Sequence, residues 1–134
     1  MQGFDTTSYL NFHKEFCDEA RELSRRKNND YADPEAHKND PYRVFSNFRL
    51  CEQLGIVSTE QGFLVRLSDK FSRLCSLLEP DHTQTVTDES LEDTMKDILN
   101  YTILLAAYLR NKKSLELSTA CAEKKVPENI TSGT

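Results

Sequence analysis

The chain has 134 residues, which fits one domain able to enclose a modest core. Four glycines and four prolines are too few for a turn-rich all-β fold. A net charge of -5 argues against stable nucleic-acid binding, which calls for a basic surface, but leaves room for a local phosphate site.

The first helix is expected over residues 8–27, with Ser8 as N-cap behind Asp5, Thr6 and Thr7. Phe12, Phe16, Ala20 and Leu23 recur at helical spacing and make one apolar stripe. Glu15, Glu19 and Glu22 form a second stripe beside it. Arg25, Arg26 and Lys27 close the helix at the negative end of its dipole. Residues 28–41 are rich in Asn, Asp and Pro and read as a long turn-rich loop, of the kind that is usually functional or mobile. A short helix over residues 42–54 should stop at Gly55.

A third helix is expected from Ser58 or Thr59 to Leu78, stopped by Pro80, with Phe63, Leu67, Phe71, Leu74 and Leu78 as its core stripe. At 100° per residue, Arg66, Asp69, Lys70 and Arg73 share a flank of that stripe. The fourth helix should cover residues 90–110. Leu91, Met95, Ile98, Thr102, Leu105 and Leu109 form its expected core face, and Asp93, Asp97, Asn100 and Tyr101 one flank, with Glu89 just behind. From Ile98 onward it is apolar nearly all round, which marks it as the central helix. The expected fold is therefore all-α, a bundle of about four helices over residues 1–117 with a flexible polar tail over 118–134.

The cysteines at 17, 51, 75 and 121 lack metal-ligand spacing and read as reduced, partly buried thiols. No apolar leader follows Met1. The longest apolar stretch, residues 98–109, is broken by Asn100 and Thr102 and is too short to span a bilayer, so a cytoplasmic, non-membrane protein is expected. His13, His37 and His82 show no activating pattern with Cys or Ser, and there is no Gly-rich phosphate loop.

Four groupings could carry chemistry. Asp93 and Asp97 stand one turn apart with Asn100 following on the same side, and carboxylates at such spacing could share a hard cation such as Mg²⁺. Acids near a helix start also simply favour its dipole, which accounts for Glu89 and Glu92. Asp97, two turns inside an apolar helix, requires a partner, because a lone buried carboxylate is costly. Arg66, Lys70 and Arg73 could hold phosphate oxygens, or Arg66 and Arg73 could pair with Asp93 and Asp97 in an interhelical ladder. Glu15, Glu19 and Glu22 fit a solvated face. Lys27, Asn28, Asn29, Asp30 and Tyr31, with Tyr42 and Arg43, offer cations, amides and rings of the kind a nucleotide uses, or an ordinary turn followed by core aromatics.

Four segments together resemble the nucleotide modification associated domain family, small all-α proteins common in bacteriophages. They are Lys27-Asn28-Asn29-Asp30-Tyr31; Asn47-Phe48; Arg66-Leu67-Ser68-Asp69-Lys70 with Arg73-Leu74; and Asp88-Glu89-Ser90 with Asp93-Thr94, Asp97 and Asn100-Tyr101. The likeness covers roughly residues 20–110. More distantly the chain is similar to MazG-like all-α nucleotide pyrophosphatases, whose paired Glu-x-x-Glu and Glu-x-x-Asp helices hold Mg²⁺. On that pattern only Asp69 and Asp97 are carboxylates; Arg66 and Thr94 stand at the other two positions. The resemblance implies a nucleotide-handling protein that assembles into homo-oligomers. Two activities follow. In one, a Mg²⁺-dependent (d)NTP pyrophosphohydrolase, the catalytic residues are Asp69, Asp93 and Asp97, the metal ligands are those three with Glu89, and Arg66, Lys70 or Arg73 meets the phosphates. In the other, a non-catalytic protein sequesters a host signalling nucleotide, Arg66 is the counter-charge, and Tyr31, Tyr42 and Asn100 contact the base. A helical protein-interaction module is the third reading.

Overall fold

The computed structural model describes residues 3–31, 38–80 and 88–124; the side chains of residues 29–31, 88 and 89 lie outside that description. Four α-helices follow in chain order: α1 (Thr6–Tyr31), α2 (Ser46–Gln53), α3 (Thr59–Leu77) and α4 (Asp88–Lys124), with a 3-10 turn at Arg43–Phe45 leading into α2. No strand occurs among the described residues, so the chain is all-α. No described helix is long and apolar enough to cross a membrane.

Local chemistry sets most of the boundaries. Asp5, not Ser8, caps α1: its carboxylate accepts the Ser8 amide at 2.7 Å, and its carbonyl accepts the Tyr9 amide at 2.9 Å. The hydrogen bond from Ser8 holds the Asp5 carboxyl below its usual range. α2 ends in a Schellman arrangement. Gly55 takes φ +73°, its amide reaches the Glu52 carbonyl at 3.0 Å, and the Ile56 amide reaches the Cys51 carbonyl at 2.9 Å. Ser58 opens α3 with a capping box: Gln61 donates its amide to Ser58 Oγ at 3.1 Å, and Gln61 Oε1 accepts the Ser58 amide at 3.1 Å. α4 continues past Leu117 to Lys124, where Ala120, Ala122, Glu123 and Lys124 all favour helix. At 37 residues it is about 55 Å long.

α4 is the central element and packs against both α3 and α1. α3 runs antiparallel to it: Glu60 meets Lys112 at one end and Lys70 meets Asp97 at the other. Between those pairs lies an aromatic stack. Phe48 and Phe63 lie face to face, 4.1 Å between centroids at 7°, and Tyr108 packs against Phe63 at 5.9 Å and edge-on against Phe45 at 5.5 Å. The buried Tyr108 hydroxyl pairs with Thr59, and Thr59 Oγ1 donates to Glu52 at 2.6 Å. α1 is fixed to α4 by Asn100, whose side-chain amide donates to the Ala20 carbonyl at 2.9 Å, and by Lys96, 2.7 Å from Glu19.

Two expected faces are corrected. On α4 Leu91, Met95, Ile98 and Leu105 are partly buried as expected, but Thr102 and Leu109 are exposed, and Thr94, Tyr101, Leu104 and Tyr108 pack inward in their place. A helix that is apolar all round does not mark its own inner face; the aromatics of α2 and α3 select it. Of the expected α3 stripe only Phe63 is fully enclosed; the other fully buried side chain of the helix is its first residue, Thr59. Phe71 and Leu78 stay half exposed or more.

Gly62 lets α2 and α3 approach. A Cβ there would stand 2.6 Å from Cys51 Sγ, a thiol already donating to the Phe48 carbonyl at 3.2 Å. Gly62→Ala is therefore expected to destabilise the chain by about 1–3 kcal/mol through overpacking. In thermal melts the double variant Gly62→Ala, Cys51→Ala should unfold above Gly62→Ala alone; equal melting would show that the thiol is not the obstacle.

Candidate functional site

One side of the bundle carries a cleft where α1, α2, α3 and α4 come together. Its volume is about 350 Å³. Its polar wall is Lys27 and Asn28 from the end of α1, Asn47 from α2, Arg66 from α3, and Asp97 and Asn100 from α4. Its apolar wall includes Val44, Phe48, Leu50, Tyr101 and Leu104.

Asp97 organises the charges. Lys27 Nζ stands 3.0 Å from one carboxylate oxygen and Lys70 Nζ 2.9 Å from the other. The Asp97 side chain is only 15% exposed. Burial pushes its carboxyl upward, but the hydrogen bonds and charges of Lys70 and Lys27 outweigh burial and hold it below the ordinary range. Arg66 comes from the same face of α3 as Lys70. Its guanidinium carbon sits 4.4 Å from the Phe48 centroid and one nitrogen donates to the Asn47 carbonyl at 3.2 Å. Arg66, Phe48 and Phe63 thus form one stack from the cleft into the core. Lys27 and Lys70 hold one carboxylate, and Arg66 stands on Phe48 in the same cleft wall, so cations outnumber the carboxylate there in a chain of net charge -5.

Of the expected site residues, Arg66, Asp97 and Asn100 line the cleft, and Lys70 joins them through its ion pair with Asp97. Asp69, Arg73 and Asp93 are exposed and lie outside the cleft lining. Asp93 contributes instead to the field around Lys96. The partners of Asp97 are two lysines rather than Arg66 or Arg73, because the antiparallel register of α3 sets Lys70 opposite it. Tyr42 packs on Tyr108, 5.7 Å between centroids, with Arg49 over its ring at 4.3 Å, and does not line the cleft. The side chains of Tyr31 and Glu89 lie outside the described residues. Lys27, offered as a cation by the 27–31 segment, lines the cleft, and Asn47 and Tyr101 enter it without having been given a role. Their signal was their place in the segments that carry the family resemblance.

Among the described residues, no three His, Cys, Asp or Glu side chains gather as ligands for a metal ion. Each Asp97 oxygen already accepts from an ammonium group, and Asp69 and Asp93 do not converge on it. The described residues therefore do not fit the four-carboxylate magnesium set that the pyrophosphatase resemblance implies.

Asp97→Asn removes the charge that holds both lysines. At neutral pH a loss of about 1 kcal/mol is expected, the scale of a weakened charged hydrogen bond. Because the folded carboxyl titrates below its unfolded value, its contribution is full above the ordinary carboxylate range and fades as pH falls through the lower folded value. The melting-temperature gap between wild type and Asp97→Asn should accordingly close in acid. A gap independent of pH would show that the lysines do not act through that charge.

No family model, curated protein or solved structure matches the chain.

Proposed function

We propose that this chain binds a nucleotide or nucleotide-derived anion in the cleft, with side-chain cations rather than a metal ion as the counter-charge. One observation carries the reading: Lys27 and Lys70 converge on the Asp97 carboxylate at a cleft whose wall also carries Arg66, stacked on Phe48. A ligand with phosphate at one end and a flat ring at the other matches both halves. Phosphate oxygens would meet Arg66 and draw Lys27 or Lys70 from Asp97, and charge-assisted bonds of this kind are the strong ones. The guanidinium of Arg66, backed by Phe48, offers a plane on which a base can stack. Asn28, Asn47 and Tyr101 supply donors and acceptors for its edge. A volume of about 350 Å³ lies within the range of small-ligand sites. The sequence resemblance to nucleotide modification associated proteins of phages points the same way, and in that setting retention of a host signalling nucleotide without turnover suits the site. Magnesium-dependent pyrophosphohydrolysis would need Asp97 to release both lysines and Asp69 and Asp93 to turn inward. Binding needs neither.

The purified protein can be titrated with dNTPs and with cyclic dinucleotides, in EDTA and in Mg²⁺, following thermal shift and reaction products. Saturable stabilisation in EDTA without product is expected from one of these classes. Arg66→Ala should weaken it at least about tenfold, a loss of about 1.4 kcal/mol. Tyr42→Phe should leave it unchanged. Turnover that requires Mg²⁺ and disappears in Asp97→Ala would replace this reading with the enzymatic one, and no response to any nucleotide would remove both.

A further inference from the structure

The two cations on Asp97 are not equivalent. Lys70 comes from the middle of α3, its side chain is 25% exposed, and it reaches Asp97 from outside the cleft lining. Lys27 comes from the last turns of α1, its side chain is 48% exposed, and it lines the cleft beside Asn28. Asp97 lines the cleft as well and accepts one ammonium group on each oxygen. Its carboxylate therefore already holds the cation that an anion in the cleft would need.

We infer that the Lys27–Asp97 pair is an autoinhibitory latch: granted that the cleft takes a phosphate-bearing ligand, the ligand must draw Lys27 away from Asp97, while Lys70 stays behind. Lys27 is the partner that exchanges, for three reasons. It stands in the cleft wall, where Lys70 does not. Its pair with Asp97 is the more exposed of the two, hence the more screened by solvent and the easier to open. Losing Lys27 alone leaves the carboxylate, 15% exposed, still paired to Lys70, whereas losing both would strand a largely buried charge.

The exchange sets a threshold on what the cleft accepts. A small anion that meets Lys27 alone gains one ion pair and breaks another, with little net gain. A larger phosphate-bearing ligand can also engage Arg66, whose guanidinium has further N–H donors beyond the one bonded to the Asn47 carbonyl. Asp97 thus discriminates against simple anions and leaves the cleft to ligands that reach Arg66. It also ties the last turns of α1 to α4, so the same residue steadies the empty cleft and opposes its filling. Asp97→Asn should therefore lower stability and raise affinity together.

Isothermal titration of the full chain with inorganic pyrophosphate in EDTA tests this, because the probe carries phosphate charge and no base. Asp97→Asn should bind pyrophosphate at least about tenfold more tightly than wild type. Glu116→Gln, exposed near the other end of α4, changes the net charge equally and should bind as wild type does. Adding Lys27→Gln to Asp97→Asn should cancel the gain. An Asp97→Asn affinity equal to or below that of wild type overturns the inference, and so does a gain that survives Lys27→Gln. Either result leaves the nucleotide reading standing wherever wild type binds a nucleotide; a cleft that answers neither nucleotide nor pyrophosphate, in wild type and variants alike, ends both. If Asp97→Asn does not fold, the carboxyl NMR signal of Asp97 in the wild type decides. Burial raises its acid midpoint, and the bonds of Lys70 and Lys27 lower it below the ordinary range. With saturating pyrophosphate the midpoint should rise, because Lys27 has left; an unchanged midpoint overturns the inference.

Discussion

Two ammonium groups from two different helices meet on the carboxylate of Asp97, and the assembly of the cleft follows from that meeting. Lys27 arrives from the end of α1, Lys70 from the middle of α3, and each takes one oxygen. A carboxylate this far inside an apolar helix is costly unless paired. Pairing it from both sides removes that cost and brings α1 and α3 to opposite shoulders of α4. The space left between them is the cleft. The same arrangement leaves more positive than negative charge there, although the chain as a whole is acidic.

The aromatic stack supplies the second constraint. Phe63, fully enclosed, supports Phe48, and Phe48 supports the guanidinium of Arg66. A surface cation is thereby held by the core itself, which limits the side-chain entropy lost when it meets an anion. The same stack accounts for most of the buried apolar surface, so stability and site share residues. Changes at Phe48 or Phe63 would alter both at once, whereas Arg66 can be altered with the core left in place.

Much of the fold was legible in the residues. Ser58 or Thr59, and Gly55 after Leu54, marked the start of α3 and the end of α2, and the Ser58–Gln61 capping box fixes the first of them. The start of α1 was displaced because Asp5, Thr6, Thr7 and Ser8 can all cap, and only the Ser8 amide bonded to Asp5 distinguishes them. The inner face of α4 was misread because its apolar residues surround the helix, so packing, not periodicity, chooses the face. At the site, the need of Asp97 for a partner was legible from its neighbours. Which cation would serve was not: Arg66, Lys70 and Arg73 share one flank of α3, and only its register against α4 selects Lys70. Lys27 is contributed by another helix altogether, at a position that also reads as an ordinary favourable charge at a helix end. Asp93 was joined to Asp97 by spacing along one helix and Asp69 by the pattern of the resemblance, and neither says anything of convergence between two helices.

The central claim is that cations organised by Asp97 receive a nucleotide without a metal. The most direct measurement is an NMR titration of the side-chain N–H signals in EDTA, with Arg66 Nε and the amides of Asn28, Asn47 and Asn100 assigned, as a dNTP or cyclic dinucleotide is added. Saturable shifts are expected at Arg66 and at these cleft amides while signals near Asp69 and Asp93 stay still. Shifts that appear only with Mg²⁺ and centre on Asp69 and Asp93, or no shifts at all, would contradict it.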